Sequence, residues 1–228
     1  MPVSLHRLRT ELWQFLFAEV LCHAAADKFT NAPDLVEDFF DFATRFCRHC
    51  PSLLLQQHPE LLAAICACGE PTNEQTKRKQ RLPSETSPLS GMKGFSLQHR
   101  EGTKSLLDFF EKALMLGCDE QRYGAAVAAQ RAVVQGVFRP VGQAFVVGLV
   151  HGVAGELPST RCREAGYVLF SLRQCFGAEM DAWYFAALSA LGAPFTDVMK
   201  QDYMARLTAA ADGRGVKNVL QSISAGVK

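Results

Sequence analysis

An amphipathic helical pattern between residues 35 and 51 constrains the fold of this chain more than any other feature. Apolar side chains recur there every three or four residues, which is the period of one helix face. They are Leu35, Val36, Phe39, Phe40, Ala43, Phe46 and Cys47. Pro51 is expected to end the helix. Because so apolar a stripe must be buried, the rest of the chain should supply helices that cover it.

The charge balance argues against partners that are recognised through a global electric field. The 228 residues include 24 lysines and arginines and 23 aspartates and glutamates, so the net charge is +1. Such a chain does not attract nucleic acid or anionic lipid as a whole. The longest apolar stretch, 141–154, is interrupted by Gln143 and His151 and is too short to span a membrane. We therefore expect neither nucleic acid nor a membrane as a partner.

The chain reads as a succession of helices, without a stretch that alternates like a strand. Helices are predicted over residues 5–26, 34–50, 59–68, 97–116, 120–138, 141–156, 160–176, 179–191, 196–211 and 216–224. The breaks between them are short, which makes consecutive helices antiparallel neighbours. Helix pairs that recur about every 40–50 residues are typical of HEAT or armadillo arrays. The predicted fold is therefore all-α, a right-handed α-solenoid of HEAT-like antiparallel helix pairs.

One segment interrupts the helical pattern. Residues 70–94 contain three prolines, many serines and threonines and few apolar residues, a composition typical of disorder. The basic cluster Lys77-Arg78-Lys79-Gln80-Arg81 lies inside it, and we interpret it as part of a solvated loop in preference to a nuclear localisation signal. The predicted division is HEAT-like helices at 1–69, a disordered Pro/Ser/basic insertion at 70–96 and C-terminal HEAT-like helices at 97–228.

Eight cysteines raise the question of a metal site. The pairs Cys47-x-x-Cys50 and Cys66-x-Cys68, separated by fifteen residues, approximate the spacing of a four-cysteine zinc site. Against this, the second pair is too closely spaced and the first lies at the end of a strong amphipathic helix. Free cysteine is common in helical cores, so burial is the preferred interpretation and a zinc-containing domain is the distant alternative. We expect no metal, no cofactor and a reducing compartment.

No pattern in the sequence predicts catalysis. The sequence has neither a Gly-x-Ser-x-Gly nucleophile elbow nor a phosphate-binding Gly-x-x-x-x-Gly-Lys loop. His151 lies on an apolar helix face, as core histidines do, while Glu179 and Asp181 stand at a helix start and complement the helix dipole. The run Trp183-Tyr184-Phe185 is interpreted as a packing element. We therefore predict no catalytic residue and a protein that is not an enzyme.

Six segments, taken in order, carry a resemblance to a known protein family. They are Leu35-Val36-x-Asp38-x-Phe40-x-x-Ala43-Thr44-Arg45-Phe46 with Pro51, Gly142-Gln143-x-x-Val146-x-x-Leu149 with Leu157-Pro158, Tyr167-Val168-Leu169-Phe170-x-Leu172, Trp183 to Leu191 with Gly192-Ala193-Pro194, Lys200-Gln201-x-x-Tyr203, and Lys217-Asn218-Val219-Leu220. This series resembles the C-terminal HEAT repeats of the karyopherin-β (importin-β superfamily) nuclear transport receptors. It is most similar to their transportin-SR / importin-thirteen branch.

The resemblance implies a C-terminal segment of a nuclear import receptor that binds protein cargo, with Arg-Ser-rich splicing factors as candidate cargo. It also implies contact with nucleoporin Phe-Gly repeats and a location in the nucleus and cytoplasm. Ran GTPase would be bound only through N-terminal repeats that are missing from this chain. Acidic side chains on an inner face would suit basic tails, so the predicted cargo contacts are Glu164, Glu179 and Asp181.

Two departures from the family pattern leave an alternative open. The sequence has no dense arginine run on a helix, which the branch uses for phosphorylated cargo, and the insertion at 70–96 is foreign to the pattern. The alternative is a free-standing helical-repeat scaffold for protein–protein interactions. The first predicted helix favours a fragment of a longer receptor, because it is apolar around much of its circumference and should pack on a preceding neighbour. Its apolar residues are Leu12, Trp13, Phe15, Leu16, Phe17 and Val20.

Overall fold

The computed structural model describes residues 33–57, 62–63, 100–155 and 157–226. Its α-helices are α1 (Pro33–His49), α2 (Arg100–Met115), α3 (Glu120–Tyr123), α4 (Val127–Phe138), α5 (Gly142–Gly155), α6 (Cys162–Phe176), α7 (Glu179–Ser189), α8 (Asp197–Ala209) and α9 (Gly213–Ala225). Short turns of π-helix at Leu53–Gln57 and 3-10 helix at Gly124–Ala126 and Ser159–Arg161 join them. No strand occurs within the described ranges. The predicted all-α solenoid is confirmed.

The amphipathic stripe of α1 is buried as its period predicts. Phe39, Phe40, Ala43, Phe46 and Cys47 are all buried against the rest of the chain, whereas the side chains of residues 35 and 36 lie outside the described part. The helix ends two residues before the proline that was expected to stop it. Sequence periodicity therefore identified both the helix and the face by which it joins the core.

Four helices from different parts of the chain stack side by side. The Phe40 ring of α1 lies 5.7 Å from the Phe109 ring of α2, and the ends of both helices line one cleft. The Cys175 thiol in the last turn of α6 donates to the carbonyl of Leu114 in the last turn of α2, at 3.3 Å. Helix α9 packs on the other side of α6. Helices α1, α2, α6 and α9 thus form one continuous row.

Helices α5, α7 and α8 form the second side of the array. Helix α7 packs against α5 and α8, and α5 also reaches α9. The contact between α5 and α7 depends on Gly142, since a Cβ atom there would lie 2.3 Å from the Trp183 ring. A single core runs between the two sides, from Phe39 in α1 to Ile223 in α9.

Side chains from other helices satisfy the C-terminal carbonyls of several helices. Such carbonyls have no partner within their own helix. The bonds are Arg122 to the Arg48 carbonyl of α1, Gln135 to Cys175 of α6 at 2.6 Å, Lys200 to Ser189 of α7 at 3.3 Å, and Arg173 to Leu207 of α8 at 2.7 Å. Three of these four donors are cations, which also complement the negative end of the helix dipole.

Two details of the predicted helix pattern were wrong. The predicted helix 120–138 is divided by the turn Gly124–Ala126, where Gly124 has a φ of +53°, a conformation that interrupts an α-helix. The segments 120–138 and 142–155 were expected to be antiparallel, but the chain turns by only 71° between them. The predicted helices 5–26 and 59–68 and the insertion 70–96 lie outside the described residues, apart from residues 62 and 63.

Across the described ranges, no single helix combines the length and hydropathy needed to cross a membrane. The segments 120–138 and 142–155 reach those values only when they are taken together.

We expect Gly166→Ala to destabilise the fold. A Cβ atom at this position in α6 would lie 2.8 Å from the backbone nitrogen of Lys217 and 3.0 Å from the carbonyl oxygen of Gly213, both in α9. Because backbone cannot rotate away as a side chain does, α6 and α9 must separate, at a cost of about 1–3 kcal/mol. Urea unfolding measures this loss.

The matched control is Gly136→Ala in α4, where a Cβ atom meets nothing within 4 Å. This variant should be as stable as the wild type or slightly more stable, since alanine exceeds glycine in helix propensity by roughly 1 kcal/mol. Equal stability of the two variants would contradict the close approach of α6 and α9.

We expect Arg173→Met to lower the free energy of unfolding by about 1 kcal/mol, because the Leu207 carbonyl loses its 2.7 Å side-chain donor and keeps the longer 3.4 Å bond from the Ala210 N–H. The change also removes the guanidinium that lies 3.8 Å from the Asp181 carboxylate. The control is Arg163→Met, an exposed arginine on the same helix, which should change stability by less than about 0.5 kcal/mol. Thermal or urea unfolding measures the stability of both variants. Equal stabilities would show that Arg173 does not stabilise the C-terminal end of α8.

Candidate protein-binding surface

Glu164, the first predicted cargo contact, lies at the junction of α6 with α2. Its Oε1 atom is 3.7 Å from Nη1 of Arg161, and the two side chains are only 14% and 11% exposed. Its Oε2 atom is buried without a hydrogen-bond partner. On α2, burial raises the pKa of Asp108, Lys104 opposes this, and Glu111 and Glu164 add to it. Glu164 therefore belongs to a partly buried group of charges between two helices.

Glu179 and Asp181 lie in the first turn of α7 but face different neighbours. Side chains two residues apart in a helix point about 200° away from each other. Glu179 pairs with Arg139, with 3.2 Å between Oε1 and Nε, whereas Asp181 faces Arg173 on α6. The three predicted carboxylates thus form three separate ion pairs, and the structure does not bring them together as one acidic surface. Their contact with cargo stays a prediction.

A cleft of about 300 Å³ opens where the C-terminal ends of α1 and α2 meet α3. Its walls combine cationic, apolar and hydroxyl-bearing side chains. They are Cys47, Arg48, Lys112, Met115, Leu116, Asp119, Arg122 and Tyr123. The sequence does not reveal this cleft, because its three cations come from three different helices and none belongs to a basic run.

The charges that line the cleft are unequally compensated. Asp119 accepts the backbone N–H of Arg122 at 3.0 Å, and Lys112 pairs with Glu111, outside the cleft, at 2.8 Å. The Arg122 guanidinium lies 5.3 Å from the centre of the Tyr123 ring. Arg48, the third cation, is exposed. The cleft therefore presents an excess of positive charge.

The Tyr123 hydroxyl gives the cleft a neutral donor. Its oxygen is buried and has no hydrogen-bond partner. Burial raises the pKa of Tyr123, so the hydroxyl keeps its proton near neutral pH and can donate. An unpaired buried hydroxyl is costly, and a ligand oxygen that accepts its proton would recover that cost. Cations and a neutral donor together suit a carboxylate or phosphate group.

Two large apolar side chains stand out of the surface near the α7–α8 connection. Phe185 is 66% exposed and Val198 is 76% exposed. The sequence interpretation treated Trp183, Tyr184 and Phe185 as one packing element, and this was wrong for Phe185. Successive helix residues point about 100° apart, so the core receives Trp183 and Tyr184 while Phe185 points outward.

Cys47, the first cysteine of the hypothetical zinc site, lies in the core. Cys47 is fully buried, and burial raises its pKa to about 12, which keeps the thiol protonated. Among the described residues, no three His, Cys, Asp or Glu side chains come close enough together to hold a metal ion. Cys66 and Cys68, the other half of the hypothetical site, lie outside those residues.

Comparison with known proteins gives one informative similarity. No protein-family model matches the sequence. The chain is similar to Transportin MOS14 of Arabidopsis thaliana, with 23% identity over 216 residues, which cover 93% of this chain and 19% of the relative. The chain thus spans about a fifth of that relative's length. The similarity agrees with the resemblance to karyopherin-β receptors and does not distinguish their branches.

We expect His151 of α5 to make stability depend on pH. Burial lowers its pKa from the ordinary value of 6.5, and its Nε2 atom is buried without a partner. The unfolded chain therefore binds the proton more readily, so the free energy of unfolding falls as the pH drops below 6.5. His151→Gln removes this contribution.

Urea unfolding between about pH 7.5 and pH 5.5 tests the expectation. The other histidines titrate equally in both proteins, so the difference between wild type and variant isolates His151. The wild type should lose more stability than His151→Gln on acidification. Parallel pH curves would show that His151 has the same pKa in the folded and unfolded chain.

Proposed function

We propose that this chain is the C-terminal, cargo-side segment of a nuclear import receptor of the transportin-SR / importin-thirteen branch. It acts in the nucleus and cytoplasm by binding a protein, without making or breaking a covalent bond. The observation that carries the proposal is the similarity to a transportin over 93% of the chain. The stacked helices agree with it, since arrays of this kind offer extended surfaces to protein partners.

The charges of the chain suit a cargo tail of alternating arginine and phosphoserine. The cleft offers Arg48 and the Tyr123 hydroxyl to phosphate oxygens, which are strong acceptors of charge-assisted hydrogen bonds. The arginines of such a tail would find carboxylates at Glu164, Glu179 or Asp181, in exchange with the resident arginines. A tail of mixed charge matches a surface of mixed charge better than a purely basic one does.

Two further partners follow from the same proposal. The exposed Phe185 and Val198 offer apolar surface of the kind that Phe-Gly repeats of nucleoporins would contact. Ran GTPase is bound by repeats outside this chain, so this segment contributes cargo binding and leaves release to the rest of the receptor.

The test is fluorescence anisotropy of the full chain with a labelled Arg-Ser repeat peptide, unphosphorylated and phosphorylated on serine. We expect the phosphorylated peptide to bind at least about tenfold more tightly, with affinity falling as salt rises. Arg48→Ala should remove most of this difference. Arg163→Ala, at an exposed arginine on α6 away from the cleft, should preserve it.

A folded chain that binds neither peptide would overturn the cargo assignment and favour the free-standing helical-repeat scaffold. Tight binding of GTP-loaded Ran would contradict the division of labour between this segment and the rest of a receptor. Equal loss of affinity in Arg48→Ala and Arg163→Ala would show that the cleft is not the cargo-binding site. The loss would then reflect the lower positive charge of the whole chain.

A further inference from the structure

Two cysteine side chains meet across the seam between α2 and α6. Cys118 lies in the turn that follows α2, and its thiol donates to the carbonyl of Ser171 at 3.7 Å. Cys175 donates in return to the carbonyl of Leu114. In an α-helix the carbonyl of residue 171 also accepts the backbone N–H of residue 175. The sulfur of Cys118 is therefore held beside Cys175.

The two thiols are neighbours, and their contact makes them differ in acidity. This contact lowers the pKa of Cys118, burial opposes the change, and the nearby Arg131 guanidinium adds to it. The same contact, together with burial, raises the pKa of Cys175. Arg131 is held in place by a 2.8 Å bond from its Nε to the carbonyl of Gly117. Cys118 is thus the more acidic thiol of the pair and Cys175 the less acidic one.

Cys118 and Cys175 also differ in their exposure to solvent. Cys118 is half-buried and is the more accessible residue of the pair, whereas Cys175 is buried. A half-exposed thiol activated by a cation, with a second thiol in contact, is the arrangement typical of peroxide-sensitive cysteines. Cys47 and Cys162, the other buried cysteines of the described region, do not combine these features.

We propose that Cys118 and Cys175 form an oxidation-sensitive pair that closes to a disulfide when the chain meets hydrogen peroxide. This modification site is independent of the proposed transport function, since it requires only the packing of α2 on α6.

The reaction balances with peroxide as the only oxidant. The Cys118 thiolate attacks one peroxide oxygen, so that an S–O bond forms, the O–O bond breaks, and the departing hydroxide takes up a proton to become water. Cys175 then attacks the sulfur of the Cys118 sulfenic acid. The S–S bond forms, the S–O bond breaks, and the leaving hydroxide takes the Cys175 proton as a second water. Two thiols and one peroxide yield one disulfide and two waters.

The bond would brace the array at its centre. It joins the turn after α2 to the last turn of α6, two elements that otherwise hold together only by packing and weak hydrogen bonds. The cross-link also restricts the unfolded chain. We therefore expect the oxidised protein to unfold at a higher temperature than the reduced protein, and reduction with dithiothreitol to reverse the shift.

The experiment is peptide mapping of the full chain after brief treatment with hydrogen peroxide and alkylation of the remaining thiols. Trypsin releases residues 113–122 with Cys118 as the only cysteine, and residues 174–200 with Cys175 as the only cysteine. We expect these two peptides to appear joined, at a mass about 2 Da below their sum. Cys118→Ser and Cys175→Ser should each abolish the joined peptide.

Two further variants make the result specific. Cys50→Ser changes another half-buried cysteine and should leave the joined peptide intact. Arg131→Gln should slow its formation by roughly two- to tenfold, through the smaller thiolate fraction of Cys118, and Arg131→Lys should restore part of the rate. The proposal is overturned if peroxide leaves both thiols alkylatable, or if Cys118 oxidises to sulfinic acid while Cys175 stays free.

Discussion

Helix C-termini set the constraint on which this structure depends. The last carbonyls of a helix have no partner within it, and a stacked array buries many such ends away from water. Here other helices supply the donors: Arg122 serves α1, Gln135 serves α6, and Arg173 serves α8. Each bond fixes one helix relative to another at its end. The array therefore gains its register from polar contacts, which non-directional apolar packing alone does not provide.

Helix α6 shows how the row depends on these contacts. Nine of its fifteen residues are buried, so it needs neighbours on more than one side, and α2 and α9 cover it. Gly166 allows the backbone of α9 to approach closely. At the C-terminal end of α6, the Cys118 thiol donates to the Ser171 carbonyl and the Gln135 amide donates to the Cys175 carbonyl. Apolar burial holds the helix in the row, and small and polar residues decide its distance and register.

The sequence predicted most of the fold and little of the site, for physical reasons. Periodicity is a local signal, so the stripe of α1 could be recognised from residues within four positions of one another. The cleft joins Arg48, Lys112 and Arg122, and only tertiary packing brings these residues together. The pairing of Glu179 with Arg139 spans 40 residues. The sequence could not show that the carboxylates predicted as inner-face cargo contacts are already paired with arginines of the same chain.

Ion pairs within the chain neutralise many of its charges, and this affects how it can recognise a partner. The predicted carboxylates face arginines of the same chain, so their fields cancel within a few ångströms. Long-range steering of a charged partner is therefore weak, and binding must rely on places where pairing is incomplete. The cleft with its exposed Arg48 is one such place, and the outward-facing Phe185 is another. A partner that carries both phosphate and arginine can use the first while it exchanges ion pairs elsewhere, which a purely basic or purely acidic chain cannot do.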